Sequence, residues 1–394
     1  MKIGMILDAP YPTDPRVFNE SQALIKSGNE IFLFCLSFKK KFIKREVIHG
    51  INVERFYCSW ITYKLSALAY TFPFYKWIMS NKIKKFINNN NIKYLHIHDL
   101  QIASSVFFAN VFFSLNVTLD LHENRPEIMK FYKHVNSVFG KLFISPSKWK
   151  VAEEKYCKMA NSIVVVTDLA KKELISRTNI HEDRVVVFSN SVSKSFYSDF
   201  KLDNNIINKY ADSFVLLYLG NTSKRRGLET VLKSIPKLIK TIPSFKLVIV
   251  GTSSYDNELV KIAHNLNVTK YVDFEGWKNE KLFPSYIKAA QLGVSPLHSN
   301  IHHDTTYANK LFQYISLGCP VVCSDVMAQK DLLDRHDIGL VFEAENSSDL
   351  IKKLFKLYLN EDLMIKFSEN CIHAIENHLN NDVISKELVT HYEK

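Results

Sequence analysis

Three basic side chains stand together in GNTSKRRG, the segment from Gly220 to Gly227. The apolar run Phe214–Leu219 precedes it and a helical pattern, Leu228–Lys240, follows. Such a loop turns amides and hydroxyls of Asn221, Thr222 and Ser223 toward the positive end of a helix, where phosphate is stabilised. Lys224, Arg225 and Arg226 add cationic donors, Arg226 best placed just before the glycine. The spacing is neither G-x-G-x-x-G nor a P-loop, and a solvated basic loop is the competing reading. A second segment, Asp304 to Gln313 (DTTYANKLFQ), leads into the helical pattern Asn309–Leu317, ended by Gly318. Amides of Thr306, Tyr307 and Ala308 at its positive end suit a leaving diphosphate. A plain N-cap by Thr305 or Thr306 accounts for the same residues.

A histidine and a glutamate, His122 and Glu123, directly follow the run Val117–Leu121. At the end of a buried strand the imidazole can touch a substrate and the carboxylate can accept from a hydroxyl. A capping glutamate beside a surface histidine is the alternative. His96 and His98 share one face of a strand, and His298, His302, His303 and Asp304 crowd one loop. Neither set has zinc-site spacing, and no D-x-D pair would hold a metal-bound nucleotide. No metal is expected.

The elements that must position these residues alternate. Apolar strands are predicted at Lys2–Leu7, Glu30–Leu36, Tyr94–His98, Val117–Leu121 and Ile163–Thr167, with helical patterns between them. A second series follows at Phe214–Leu219, Lys246–Val250, Tyr271–Phe274, Leu292–Pro296 and Pro320–Cys323. Fully apolar strands alternating with helices predict an α/β fold of parallel sheets covered on both faces. Two series meeting near 191–205 predict two doubly wound domains facing a cleft, with 198–208 as linker and 88–91 as a loop. Ligands of open α/β sheets sit at the carboxyl ends of strands. The loops of interest are therefore 8–16, 98–101, 122–126, 220–227, 251–255, 276–278 and 297–310.

Composition bounds the class. The 394 residues are 46% hydrophobic and 23% charged, enough to bury a sizeable core. Six scattered cysteines without C-x-x-C read as reduced thiols of a cytoplasmic protein. Met1–Leu7 is too short for a signal sequence, and Ile61–Met79 is broken by Lys64, Pro73 and Lys76. The net charge of +11 lies wholly in the first half: 28 Lys+Arg stand against 16 Asp+Glu through residue 195. From Arg55 through His98 there are seven basic residues and no acidic one, interleaved with Trp60, Tyr63, Phe72, Phe74, Tyr75 and Trp77. Lys130–Lys158 adds Lys133, Lys141, Lys148, Lys150 and Lys155 with Phe131, Phe139, Phe143 and Trp149. This composition predicts peripheral docking on an anionic membrane; core aromatics beneath a solvated lysine face are the alternative. No recognisable nucleic-acid module accompanies the charge.

Taken in order, several segments resemble the retaining, family 4-like branch of the GT-B glycosyltransferases (glycosyl transferases group 1). They are Asp14 to Val17, Gly28 to Glu30, His98-Asp99, Asp120 to Glu123, Val187 to Asn190, Gly220 to Gly227, Leu247 to Gly251, Phe274 to Gly276 and Asn309 to Asp325. The resemblance implies two Rossmann-like domains: residues 1–195 binding an acceptor, and 196–375 binding a nucleotide sugar. A C-terminal helix in 376–394 is expected to pack back toward the first domain. It also implies that Arg226 meets the donor diphosphate and that Tyr307 and Ala308 amides hold its distal phosphate. His122 would lie beside the transferred sugar, and the backbone of Gly276, Trp277 and Lys278 would contact the base. The family's two glutamates fall at Thr305 and Gln313, so Gln313 is expected at the ribose as a neutral partner.

The resulting expectation is a metal-independent, retaining glycosyltransferase without cofactor. It moves a sugar from a nucleoside-diphosphate donor to a hydroxyl of a glycan or lipid-linked saccharide on the inner face of the membrane. His122 and Arg226 are the catalytic candidates. Asn221, Lys224, Arg225, Gly251, Trp277, Lys278, Thr305, Thr306, Tyr307, Ala308, Asn309 and Gln313 are expected at the donor, and Asp14, Arg16, Asp99 and Glu123 at the acceptor or cleft. A nucleotide-sugar epimerase and a non-catalytic partner subunit are the other readings.

Overall fold

The computed structural model describes residues 1–393, which divide into two compact units. The first comprises Met1–Ser189 and the chain from Ile384 on; the second is Asn190–Val383. The second unit thus begins before residue 196 and runs beyond 375, through the helix Glu361–Asn377.

The first unit is built on eight strands: β1 (Lys2–Leu7), β2 (Glu30–Ser37), β3 (Arg45–Ile48), β4 (Ile51–Tyr57), β5 (Tyr94–His98), β6 (Asn116–Asp120), β7 (Ser162–Val165) and β8 (Val185–Val187). Their order is β3-β4-β2-β1-β5-β6-β7-β8, parallel throughout except for the β3–β4 pair. The helix Pro15–Lys26 shows how sequence sets an element: Asp14 accepts from the amides of Arg16 and Val17, and Pro15 stands in the first turn. Phe74–Asn90 continues through the expected 88–91 loop and stops only at Asn91, in the left-handed region. The final helix, Asn381–Glu393, buries Leu388 against Val164, Val186 and Phe188 of the first sheet's apolar cluster.

The second unit carries six parallel strands: β9 (Phe214–Leu219), β10 (Phe245–Val250), β11 (Val272–Gly276), β12 (Leu292–Ser295), β13 (Val321–Ser324) and β14 (Gly339–Phe342). The order β11-β10-β9-β12-β13-β14 reverses direction between β9 and β12, the switch point where such sheets open a crevice. Tyr314 bonds to the β9 edge there. Its hydroxyl donates to the Leu217 carbonyl at 2.9 Å and accepts from the Leu219 amide at 2.8 Å, beyond the point where β9 and β12 pair. The buried ring lies so close to Gly293 that any β-carbon there would overlap it. The expected linker 198–208 contains a helix, Asn204–Lys209, capped by Asp203. All six cysteines are buried free thiols.

Candidate active site

In the first unit the loops after β1, β5 and β6 converge on His122. Its Nε2 lies 2.7 Å from Asp120 Oδ2; its Nδ1 faces Asp14 at 3.7 Å and Asp99 at 3.9 Å. Burial opposes charge on the ring, but Asp120 and Asp99 outweigh it and carry the imidazole pKa up to about 10. His122 is therefore an imidazolium at neutral pH, a fixed positive donor. His98 Nδ1 points at the same Asp120 oxygen from 3.1 Å.

Arg16 does not project into a ligand site. Its guanidinium is buried, with Nε and NH2 on the Asp120 carboxylate (2.6–3.2 Å), NH1 donating to the Phe188 carbonyl, and Nε 3.1 Å from Glu20. It is the counter-ion of Asp120, whose carboxyl stays well below the ordinary range because Arg16 and His122 outweigh its burial. Asp99, at φ 69°, accepts from Arg125 at 2.9 Å, and Glu123 pairs with the same arginine at 3.1 Å.

Behind this site the fold collects a group that sequence spacing did not reveal. Ligand atoms of Glu20, His96, His98 and Asp120 all lie within 4.8 Å of one another. The cluster has a metal's donor set, but the Arg16 guanidinium already supplies positive charge to both carboxylates. Burial and the Asp120 charge push Glu20 up to about 7, and burial takes His96 down to about 4. Tyr392 of the final helix closes the group, its hydroxyl 2.6 Å from His96 Nδ1. Asp8, at the end of β1, is a further buried carboxyl that burial raises to about 7; Tyr75 and Gln101 donate to it.

In the second unit the loop after β9 becomes one turn of 3-10 helix, Lys224–Arg226, ending in left-handed Gly227. A β-carbon at Gly227 would overlap the Pro296 carbonyl, so the loops after β9 and β12 pack against each other through a glycine. The His298 amide donates to Arg225 O at 3.1 Å across the same contact. Asn221 accepts from the Ser223 amide, shaping the turn, and Lys224 is exposed. Arg225 donates to His303 Nε2 at 2.8 Å while His303 Nδ1 donates to the His298 carbonyl; burial holds that histidine down to about 3, neutral and able to accept. Arg226 Nε is buried with no partner, as is Thr306 Oγ1.

Two residues expected at the donor make defined contacts within the chain. Thr305 turns its hydroxyl back to the Ile301 and His302 carbonyls, at 2.8 and 3.3 Å, so it closes its own turn rather than facing a sugar. Adjacent Asp304 accepts from the Met327 amide at 3.1 Å. Gln313 is buried and gives its amide to Glu280 Oε1 at 3.2 Å, which brings a carboxylate where the sequence offered only an amide. Tyr307 and Ala308 lead into the helix Asn309–Ser316, whose first amides have no intrahelical acceptor; Asn309 is exposed. At the far side Gly251 donates to the Gly276 carbonyl at 2.8 Å, Trp277 is exposed, and Lys278 pairs with Glu275 at 3.2 Å. Lys310, in the second position of the helix Asn309–Ser316, is buried although a lysine in an amphipathic pattern reads as surface.

Two mainly parallel α/β sheets, with a basic loop at the switch point of the second, are the architecture of the GT-B fold. The chain belongs to the group 1, family 4-like glycosyltransferases: the model for Glycosyl transferases group 1 matches residues 199–374, and that for Glycosyltransferase Family 4 matches 16–196. A Staphylococcus aureus relative named capsular polysaccharide biosynthesis glycosyltransferase CapM is 22% identical over 59% of this chain and 61% of its own length. Thus the chain spans about three-fifths of CapM, and 42% and 55% of two uncharacterized glycosyltransferases it also matches. A phosphatidyl-myo-inositol mannosyltransferase of Mycolicibacterium smegmatis is 21% identical over all of this chain and 94% of that protein. Among solved structures, sucrose-phosphate synthase of Thermosynechococcus elongatus superposes with a TM-score of 0.78 at 14% identity, covering 100% of this chain and 98% of that one. Anabaena HepE in complex with UDP gives 0.74 at 13% identity, with both chains fully covered.

Proposed function

We propose that this protein transfers a sugar, with retention and without a metal, from a nucleoside-diphosphate sugar to a hydroxyl of a glycan or lipid-linked saccharide in cell-surface polysaccharide synthesis. One observation carries the reading: the second unit presents Arg226 Nε and Thr306 Oγ1 buried and unpartnered, beside the open amides of a helix start, at its topological switch point. Buried donors without acceptors are costly, and a diphosphate is an acceptor that satisfies them all. As the anomeric C–O bond loosens, charge grows on the departing diphosphate, where these fixed donors meet it. Glu280, held by Gln313, is placed to accept from ribose hydroxyls. CapM's name and the UDP in HepE support the polysaccharide context and the donor class. The test is a panel of UDP-, GDP- and ADP-sugars with lipid-linked acceptors in excess EDTA, the product anomer read by NMR. Transfer with retention is expected; loss of activity in EDTA restored by magnesium contradicts metal independence, and nucleotide binding without turnover contradicts catalysis.

The acceptor end belongs at a membrane in this reading. No described helix is long and apolar enough to cross one. The basic, aromatic stretches divide: Tyr75 and Trp149 are core, whereas Trp60, Phe72, Phe74, Trp77, Phe131 and Phe139 are exposed. In the helix Val138–Phe143 the side chains of Val138, Phe139 and Leu142 are 86, 77 and 73% exposed, beside Lys141. The rings of Phe143, Phe72, Phe74 and Trp77 run on from it at centroid spacings of 6.1–6.2 Å. At roughly 1 kcal/mol per basic residue near an anionic leaflet, a few engaged lysines plus this apolar surface give reversible docking on the inner leaflet. In flotation, the protein is expected to rise with phosphatidylserine vesicles at low salt and Phe139→Glu/Leu142→Glu to stay behind. Equal binding to neutral vesicles, or none at low salt, contradicts it.

A further inference from the structure

Lys310 occupies the second position of the helix Asn309–Ser316, after the Ala308 cap. It is 7% exposed, and its Nζ has no hydrogen-bond partner. Each aspect of this placement opposes an ammonium. Burial without a counter-charge is costly, the start of a helix is its positive end, and Arg226 adds like charge. Burial first, then Arg226, hold the amine well below the ordinary lysine range.

Lys310 is nevertheless aimed. Its Nζ stands 3.2 Å from the centroid of the buried Tyr218 ring, whose hydroxyl donates to the Asn221 carbonyl at 2.5 Å, so the amine lies against the residue that fixes the basic loop. On the loop side it meets Gly220: an ideal β-carbon there would lie 4.0 Å from Nζ. The titratable groups facing it are Arg226 from the loop and Tyr218 from β9, with Arg225 acting on the same tyrosine. No carboxylate acts on it among the described residues. A packing role is filled better by methionine or leucine, without a stranded amine.

We infer that Lys310 is a phosphate-binding residue, its ammonium joining Arg226 and the Tyr307 and Ala308 amides on the diphosphate of the donor. The inference rests on the donor reading above. An anion at this place supplies the missing counter-charge, favours the helix start, and relieves the repulsion between Arg226 and Lys310. Burial and Arg226 disfavour the ammonium in the free protein, and a bound anion favours it. The resulting ion is further supported by the Tyr218 face.

Titration calorimetry with UDP, GDP and ADP, each against its nucleoside, tests this on the full chain. Lys310→Met is expected to weaken the diphosphate that wild type binds by about 10- to 100-fold, the range of a charge-assisted hydrogen bond. The matching nucleoside should be unaffected, and thermal stability equal or higher. The wild-type binding enthalpy should vary with buffer ionisation heat in the direction of proton uptake, and Lys310→Met should lose that dependence. Equal diphosphate affinity in wild type and Lys310→Met, or equal loss for nucleoside and diphosphate, overturns the inference while leaving the donor reading intact. Wild type that binds none of the three diphosphates overturns the donor reading and this inference with it.

Discussion

Replacing Arg226 by alanine lowers sugar transfer by about 10²-fold or more, the cost of removing one preorganised donor from developing charge, or about 2.7 kcal/mol of barrier. The position rather than the charge alone sets this magnitude. Arg226 ends a 3-10 turn closed by left-handed Gly227, and Gly227 is wedged against the Pro296 carbonyl. The backbone that carries the side chain is thereby pinned, with its buried Nε unpaired. Lys224, exposed on the same turn, is expected to matter far less. Initial rates at saturating donor, with nucleotide affinity measured separately, decide the point. A near-wild-type rate with unchanged affinity would remove Arg226 from the mechanism.

The second large effect is on stability. Asp120→Asn costs about 3–5 kcal/mol, the usual penalty for stripping one partner from a buried ion pair. Arg16 is left buried with only Glu20 and a carbonyl, and His122 loses the carboxylate that chiefly charges it. The pH dependence has a defined sign. His122 has its pKa raised from 6.5 to about 10, so its contribution is complete below about pH 6.5 and is lost as pH rises through 10. Asp120 is held below 3.8, so its contribution is present above that value and is lost as pH falls below it. Denaturant unfolding between pH 6 and 10 should show wild-type stability falling with pH, and Asp120→Asn a lower, flatter line. Parallel lines would mean that His122 is not charged by Asp120.

What the sequence disclosed was local. The loop Gly220–Gly227 could be read because strand, glycine, basic triad and helix are contiguous, and Gly28 marks the end of the first helix by position alone. The β3–β4 pair escaped because Arg45–Ile48 is short, polar in part and half exposed. The cluster behind His122 escaped for a different reason. Glu20, His96, Asp120 and Tyr392 come from four distant segments, and only the sheet order brings them together. Arg16, second in its helix, looks available in the sequence because its carboxylate partner lies 104 residues away. For Thr305 and Gln313 the sequence gives position but not side-chain direction. One bonds its own turn, and the other recruits Glu280.

The central claim is that the second unit is the donor site, with the diphosphate on the basic loop and the Asn309–Ser316 helix start. The most direct measurement is a crystal structure of the full chain soaked with the nucleoside diphosphate that binds in solution. Difference density for the two phosphates is expected against Arg226, Lys310 and the Tyr307 and Ala308 amides, with the ribose at Glu280. Phosphates bound elsewhere, or full occupancy of the nucleotide with Arg226 and Lys310 untouched, would contradict the account.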